Sequence, residues 1–161
     1  MSLQNAINQL SNSNAKIIWV LGLPSVGKTT VIQKVFPQNK TPYIKNREEF
    51  RQVLDKINPG ITYTIVIEKL EVLVSLNEDE LKDITNNHRL IIEINPYELY
   101  YLPNYPRHIK ELWEKTKNNV VIVKIEDKVE CISIAEEIAK NEGISFSKEE
   151  FKPEKFEFKV P

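Results

Sequence analysis

The sequence predicts an α/β fold: a five-stranded, mainly parallel sheet covered by helices on both faces, a three-layer sandwich. Three observations carry this. Short apolar runs alternate along the chain with segments of helical spacing. The first run, residues 16–21 (KIIWVL), is mostly apolar without alternation, as a strand buried on both faces should be. Two of the four glycines, Gly22 and Gly27, fall in the eight-residue stretch that follows it. A chain so sparing with glycine uses it where the backbone must take an unusual path.

Each element has its own signal. The first strand is entered from the polar stretch Ser11-Asn12-Ser13-Asn14 and closed by Gly22. Residues 29–36 have helical spacing and stop at Pro37, which cannot continue a helix. Further strands are expected at 42–45, 62–68, 89–95 and 120–125. A helix over 47–57 places Phe50, Val53, Leu54 and Ile57 on one face and ends before Asn58-Pro59-Gly60. The helix over 77–84 opens with Asn77 and Glu80 in capping-box spacing. Helices are also expected at 109–115 and at 128–141, the latter closed by Gly143. Residues 155–160 (KFEFKV) alternate like an edge strand, in a tail lying on the body.

Composition narrows the function classes. The chain has 161 residues, enough for one domain with a real core. Its net charge is −1 and its pI about 6.2, so no global positive field draws it to nucleic acid or anionic lipid. Cys131 is the only cysteine, which excludes an internal disulfide and a multi-cysteine metal site. MSLQNAINQL lacks the features of a signal peptide, and no run reaches the roughly 18 apolar residues of a membrane span. The expectation is a soluble, cytoplasmic protein.

Gly22-Leu23-Pro24-Ser25-Val26-Gly27-Lys28-Thr29 matches G-x-x-x-x-G-K-[ST] at every fixed position, after a strand and before a helix. Backbone N–H groups of such a loop, with the N-terminus of the next helix, form a nest of donors for phosphates. Gly22 and Gly27 allow the tight path, Lys28 reaches the outer phosphates, and the Thr29 hydroxyl ligates Mg²⁺. Thr30 completes the binding segment. The guanine-reading pattern Asn/Thr-Lys-x-Asp does not follow a strand, which favours ATP. A metal-side acid is expected at the end of a nearby strand, and Ile65-Val66-Ile67-Glu68 ends in one. Glu68 is thus the expected metal ligand with Thr29. Glu93, inside LIIEIN, is a second candidate carboxylate: either catalytic or a strand-end residue reaching solvent.

On these residues the chain resembles the AAA+ ATPases, clamp-loader branch, over roughly residues 16–150. Gly22 to Thr29 matches the family's Walker A segment, and residues 65–73 (IVIEKLEVL) are similar to its Walker B segment, in degenerate form. The resemblance implies a P-loop NTPase sandwich with strand order 5-1-4-3-2 and nucleotide at the carboxyl ends of the strands. It implies catalytic roles for Lys28 and Glu68, and a sensor role for Asn95 on the γ-phosphate or the attacking water. It places Lys69 where many such ATPases carry the catalytic glutamate, so hydrolysis is expected to be slow, with Glu93 or Glu71 as substitute base. Arg107 is the nearest arginine to a finger position. Residues 1–127 form the core and 128–161 a partial helical lid and tail; residues 1–15 offer no counterpart of the family's adenine-binding segment.

Residues 97–117 gather Tyr97, Tyr100, Tyr101 and Tyr105 beside Arg107, His108, Lys110, Lys115 and Lys117. Aromatics with cations suit a DNA-binding or protein-binding surface. The alternative is that Ile109, Leu112 and Trp113 face the core and the charges solvate the outside. His88 and His108 are expected at the surface. Three function classes stay open: a slow ATPase or ATP-dependent switch in DNA replication or related transactions, a small-molecule or nucleotide kinase, and a non-hydrolysing nucleotide-binding subunit of a complex. The four arginines form no cluster of the kind phosphoryl transfer to a small acceptor uses.

Overall fold

The computed structural model describes residues 2–22, 27–58 and 60–123. Five parallel strands, β1 (Ile17–Leu21), β2 (Tyr43–Ile44), β3 (Thr64–Ile67), β4 (Arg89–Ile94) and β5 (Val120–Ile122), form one sheet. Its order is β2-β3-β4-β1-β5, the expected 5-1-4-3-2 counted from the other edge. β1 lies between β4 and β5, with Val20 level with Glu93 on one side and Val121 on the other. The chain thus leaves β1 and β4 in opposite directions along the sheet, and the carboxyl end of such a switch point is where open α/β sheets bind ligands.

Strand residues alternate between two cores, as the period of two requires. Ile18, Val20, Val66 and Ile91 pack under α1 (Ser2–Asn12) and α2 (Lys28–Val35). Ile17, Trp19, Leu21, Ile65, Ile67, Leu90, Ile92 and Ile94 form the other core. That core is closed by α3 (Arg47–Lys56), α4 (Leu70–Val74), α5 (Glu78–Asn87), α6 (Pro96–Tyr101) and α7 (Arg107–Thr116). The three-layer sandwich is thus as the sequence predicts.

Several elements depart from expectation. Residues 2–12 form a helix whose Leu3, Ala6, Ile7 and Leu10 face the sheet at helical spacing. The run of Asn, Gln and Ser between them hides that stripe in the sequence. Two further short helices, α4 and α6, follow β3 and β4. Asn77 caps α5 in a full capping box with Glu80, as its spacing predicts. Asn95 and Glu98 make a second box at the start of α6, with Pro96 at the first helical position. The segments expected at 128–141 and 155–160, the domain boundary after 127 and Cys131 lie outside the described residues.

Candidate functional site

Both described ends of the motif sit at the carboxyl edge of β1. Gly22 N–H donates to Ile94 O at 3.2 Å, tying the start of the loop to β4. Gly27 caps α2 with φ 100°, a left-handed conformation that a side chain would oppose. Its carbonyl still accepts from Val31 N at 2.9 Å, so α2 starts directly at the loop. Leu23, Pro24, Ser25 and Val26 lie outside the described residues.

Lys28 is buried, only 7% exposed, and its Nζ donates to Gly22 O. Burial pushes its pKa down, against the opposing pull of Glu93 and Glu98. Thr29 Oγ1 donates to Glu93 Oε1 at 3.1 Å. The hydroxyl proton is therefore committed to Glu93, and the oxygen lone pairs remain for another ligand. Burial raises the Glu93 carboxyl to about 6, although Lys28 and the Thr29 hydroxyl draw it down. Glu93 is thus hydrogen-bonded to the last residue of the motif from a half-buried place at the strand end. Thr30, on the first turn of α2, is half-buried.

Glu68 follows β3, two strands from β1. Its N–H donates to Ile44 O at 2.9 Å, while its Oε2 is buried with no hydrogen-bond partner. Burial raises its pKa; Lys45 and Lys69 oppose the shift and Glu49 adds to it. Tyr43, whose hydroxyl donates to Phe36 O at 2.5 Å, is pushed up to about 12, by burial first and then by Glu68 and Glu93. Lys69 is exposed at the N-cap of α4. Asn95 Oδ1 accepts from Glu98 N at 2.8 Å, and Glu98 Oε1 accepts from Asn95 N at 3.0 Å. Glu98 Oε2 accepts from Leu70 N at 3.2 Å, so this box also joins α6 to α4. Sequence reasoning missed Glu98, although its spacing from Asn95 repeats that of Glu80 from Asn77.

The 97–117 region divides in two. Ile109 is buried, Leu112 and Trp113 pack on the core, and Trp113 meets Trp19 edge-on at 5.1 Å. Trp19 Nε1 also donates to Thr116 Oγ1 at 2.6 Å, so α7 is a structural helix. Arg107 pairs with Glu111 at 2.9 Å and Lys117 with Glu114 at 2.7 Å, both on the α7 segment. Tyr105 is partly buried against the core, whereas Tyr100 and Tyr101 are 74% and 53% exposed and meet edge-on at 5.2 Å. His88 corrects the surface expectation. His88 is 7% exposed and its Nδ1 accepts from Tyr63 N at 3.2 Å; half-buried His108 hydrogen-bonds to Leu76 O at 2.9 Å.

Among the described residues, no group of three His, Cys, Asp or Glu could hold a metal by itself. Mg²⁺ asks less of a protein: one or two oxygen ligands, with water and phosphate supplying the rest. Thr29 and Glu93 fit that demand. Adjacent ligands on an octahedral ion at about 2.1 Å lie about 3 Å apart, and these two oxygens are 3.1 Å apart.

No protein-family model matches the chain, and no curated protein matches it by sequence. Solved structures do resemble it. One is a Walker-type ATPase of Pyrococcus abyssi, with a TM-score of 0.51 and 11% identity over 91% of this chain and 60% of that one. Another is the S. cerevisiae Hsp104–ADP complex, with a TM-score of 0.50 and 16% identity over 91% of this chain and 25% of that one. The chain spans less than two thirds of either. The likeness shows the fold: the α/β sandwich of this chain is shared with a Walker-type ATPase and with Hsp104. Among the described residues, no helix is long and apolar enough to cross a membrane.

Proposed function

We propose that the protein binds Mg-ATP at the carboxyl edge of β1 and works as a slow, AAA+-like ATPase or ATP-dependent switch. The observation that carries this is the joint placement of Lys28 and Thr29 at the start of α2, with Glu93 on the Thr29 hydroxyl. In this reading Lys28 exchanges Gly22 O for the outer phosphates, an interaction between full charges in place of one with a carbonyl dipole. Thr29 keeps its proton on Glu93 and offers its lone pairs to Mg²⁺. The bound ion supplies charge neutralisation for the phosphates. Glu68, Glu93 and Asn95 line the strand ends where an attacking water must be oriented. An exposed lysine follows Glu68, and missing a general base typically slows such chemistry by ~10²–10⁴-fold.

The reading extends to residues 1–127 as the nucleotide core, with 128–161 as a partial lid. The cellular role we propose is a DNA transaction, in a cytoplasmic protein that works with copies of itself or with other subunits. For the partner surface, support narrows to the exposed Tyr100–Tyr101 pair. Arg107 and Lys117 would have to leave acids on their own helix to hold phosphates. Calorimetric titration with ATP and GTP in Mg²⁺ buffer tests the core claim, and tighter ATP binding is expected. No binding of either nucleotide overturns it. A phosphate-release assay should show slow turnover, and a nucleoside or nucleotide that accepts the γ-phosphate would favour the kinase class instead.

A further inference from the structure

We infer that Glu93 on β4, and not Glu68 after β3, is the carboxylate that anchors the magnesium ion of a bound nucleotide together with Thr29. The inference rests on the nucleotide-binding reading above and reassigns a role within it.

Three observations converge. The first is contact: Thr29 Oγ1 and Glu93 Oε1 are 3.1 Å apart, and the proton between them belongs to the threonine. This arrangement orients the lone pairs of Oγ1 for a cation and puts a carboxylate at its side. The second is topology. β4 is the direct neighbour of β1, and Glu93 is level with Val20, two residues before the phosphate loop begins. Glu93 also shares the face of β4 with Ile91, which packs in the core beneath α2. Glu68 follows the next strand out, and neighbouring strands are about 4.8 Å apart. The third is charge. The lysine that acts on Glu93 is Lys28 of the motif itself, with Glu68 and Glu98 adding weaker repulsion, whereas the charges that act on Glu68 are Lys45, just after β2, Glu49 in α3 and Lys69, just after β3. Glu68 thus has cations of its own at the ends of β2 and β3.

The test is to titrate a non-hydrolysable ATP analogue by calorimetry, in Mg²⁺ and in EDTA, against wild type, Glu93→Gln, Glu93→Asp and Glu68→Gln. The amide oxygen introduced by Glu93→Gln would still accept the Thr29 hydroxyl, so this substitution removes charge and little else. Wild type and Glu68→Gln should bind more tightly in Mg²⁺ than in EDTA. Glu93→Gln should keep the EDTA affinity, which also shows that it folds, and lose the magnesium gain by ~10–100-fold, as loss of a metal-side partner does. Glu93→Asp should recover part of it. Retention of the gain in Glu93→Gln, or its loss in Glu68→Gln, overturns the assignment, as does a wild type indifferent to Mg²⁺. Equal loss of affinity in both buffers, unrelieved in Glu93→Asp, would make Glu93 a structural support of α2 instead. Absence of binding by wild type in either buffer defeats the nucleotide reading itself.

Discussion

The two ends of the same sheet treat their polar and charged side chains in opposite ways. At the amino edge, Arg89 donates to Ala15 O at 3.0 Å and to Ser13 O at 2.6 Å, with its guanidinium 5.3 Å from the Phe36 ring centroid. Lys16 Nζ donates to Asn86 O at 2.6 Å, and neutral His88 accepts from Tyr63 N. There the backbone closes each polar side chain, and the result is a fastening. At the carboxyl edge, Glu68, Glu93 and Glu98 gather near the motif with raised pKa values, Lys28 is depressed, and one Glu68 oxygen has no partner. Arg89 and Glu93 are four residues apart on one face of one strand. The lesson is that polar groups tied to the backbone mark where the fold is held, and carboxylates gathered beside the motif mark where a bound cation would relieve them.

This contrast can be broken from either end. The largest effect is expected from Lys28→Ala, which should weaken Mg-ATP binding by on the order of 100-fold or more, since charge-assisted contacts are worth about 1.5–3 kcal/mol each. Calorimetry measures it, and undiminished affinity would remove the carboxyl edge from the site. The matching change at the other end, Arg89→Ala, should leave nucleotide affinity alone and lower stability by about 2–3 kcal/mol in urea unfolding. A drop in affinity without a drop in stability would erase the distinction between the edges.

The two capping boxes sharpen the comparison. Asn77→Ala and Asn95→Ala each remove an N-cap, at a cost of about 1 kcal/mol, from boxes of the same geometry. Asn95 directly follows β4, the neighbour of β1, whereas Asn77 begins α5 beyond β3 and α4, so only Asn95→Ala should also slow phosphate release. Equal turnover in the two variants would reduce Asn95 to a cap.

The smallest effect concerns His88. Burial lowers its pKa below the ordinary 6.5, so the unfolded chain takes up its proton at a higher pH than the native one. More protons bind to the unfolded state in that window, hence stability is full above about 6.5 and declines as pH falls below it. Urea midpoints measured across that range should slope accordingly. His88→Gln, which keeps an acceptor for Tyr63 N without a titrating group, should flatten the slope.

Much of the fold was legible locally. Apolar runs gave away five strands, because a strand covered on both faces needs no polar positions. The Asn77–Glu80 spacing marked the start of α5, since the box satisfies two orphan donors within one turn. α1 escaped because its apolar stripe is thin and its intervening residues are Asn, Gln and Ser. α6 escaped because Asn95 was read for chemistry when its spacing from Glu98 already described a cap. The surface assignment of His88 failed because an isolated histidine carries no local mark of burial.

The sequence by itself determined the phosphate loop, whose glycines, lysine and threonine act over eight consecutive positions and so obey local rules. It also determined which residues could be acids near a metal. Only the tertiary structure decided which of them meets the motif. Thr29 and Glu93 are 64 residues apart, and they meet because β4 pairs beside β1 in the register that sets Glu93 level with Val20. Strand propensity is indifferent to neighbour and register. Those are settled by the packing of two cores on opposite faces of the sheet, and that packing places one carboxylate on the threonine and leaves the other a strand away.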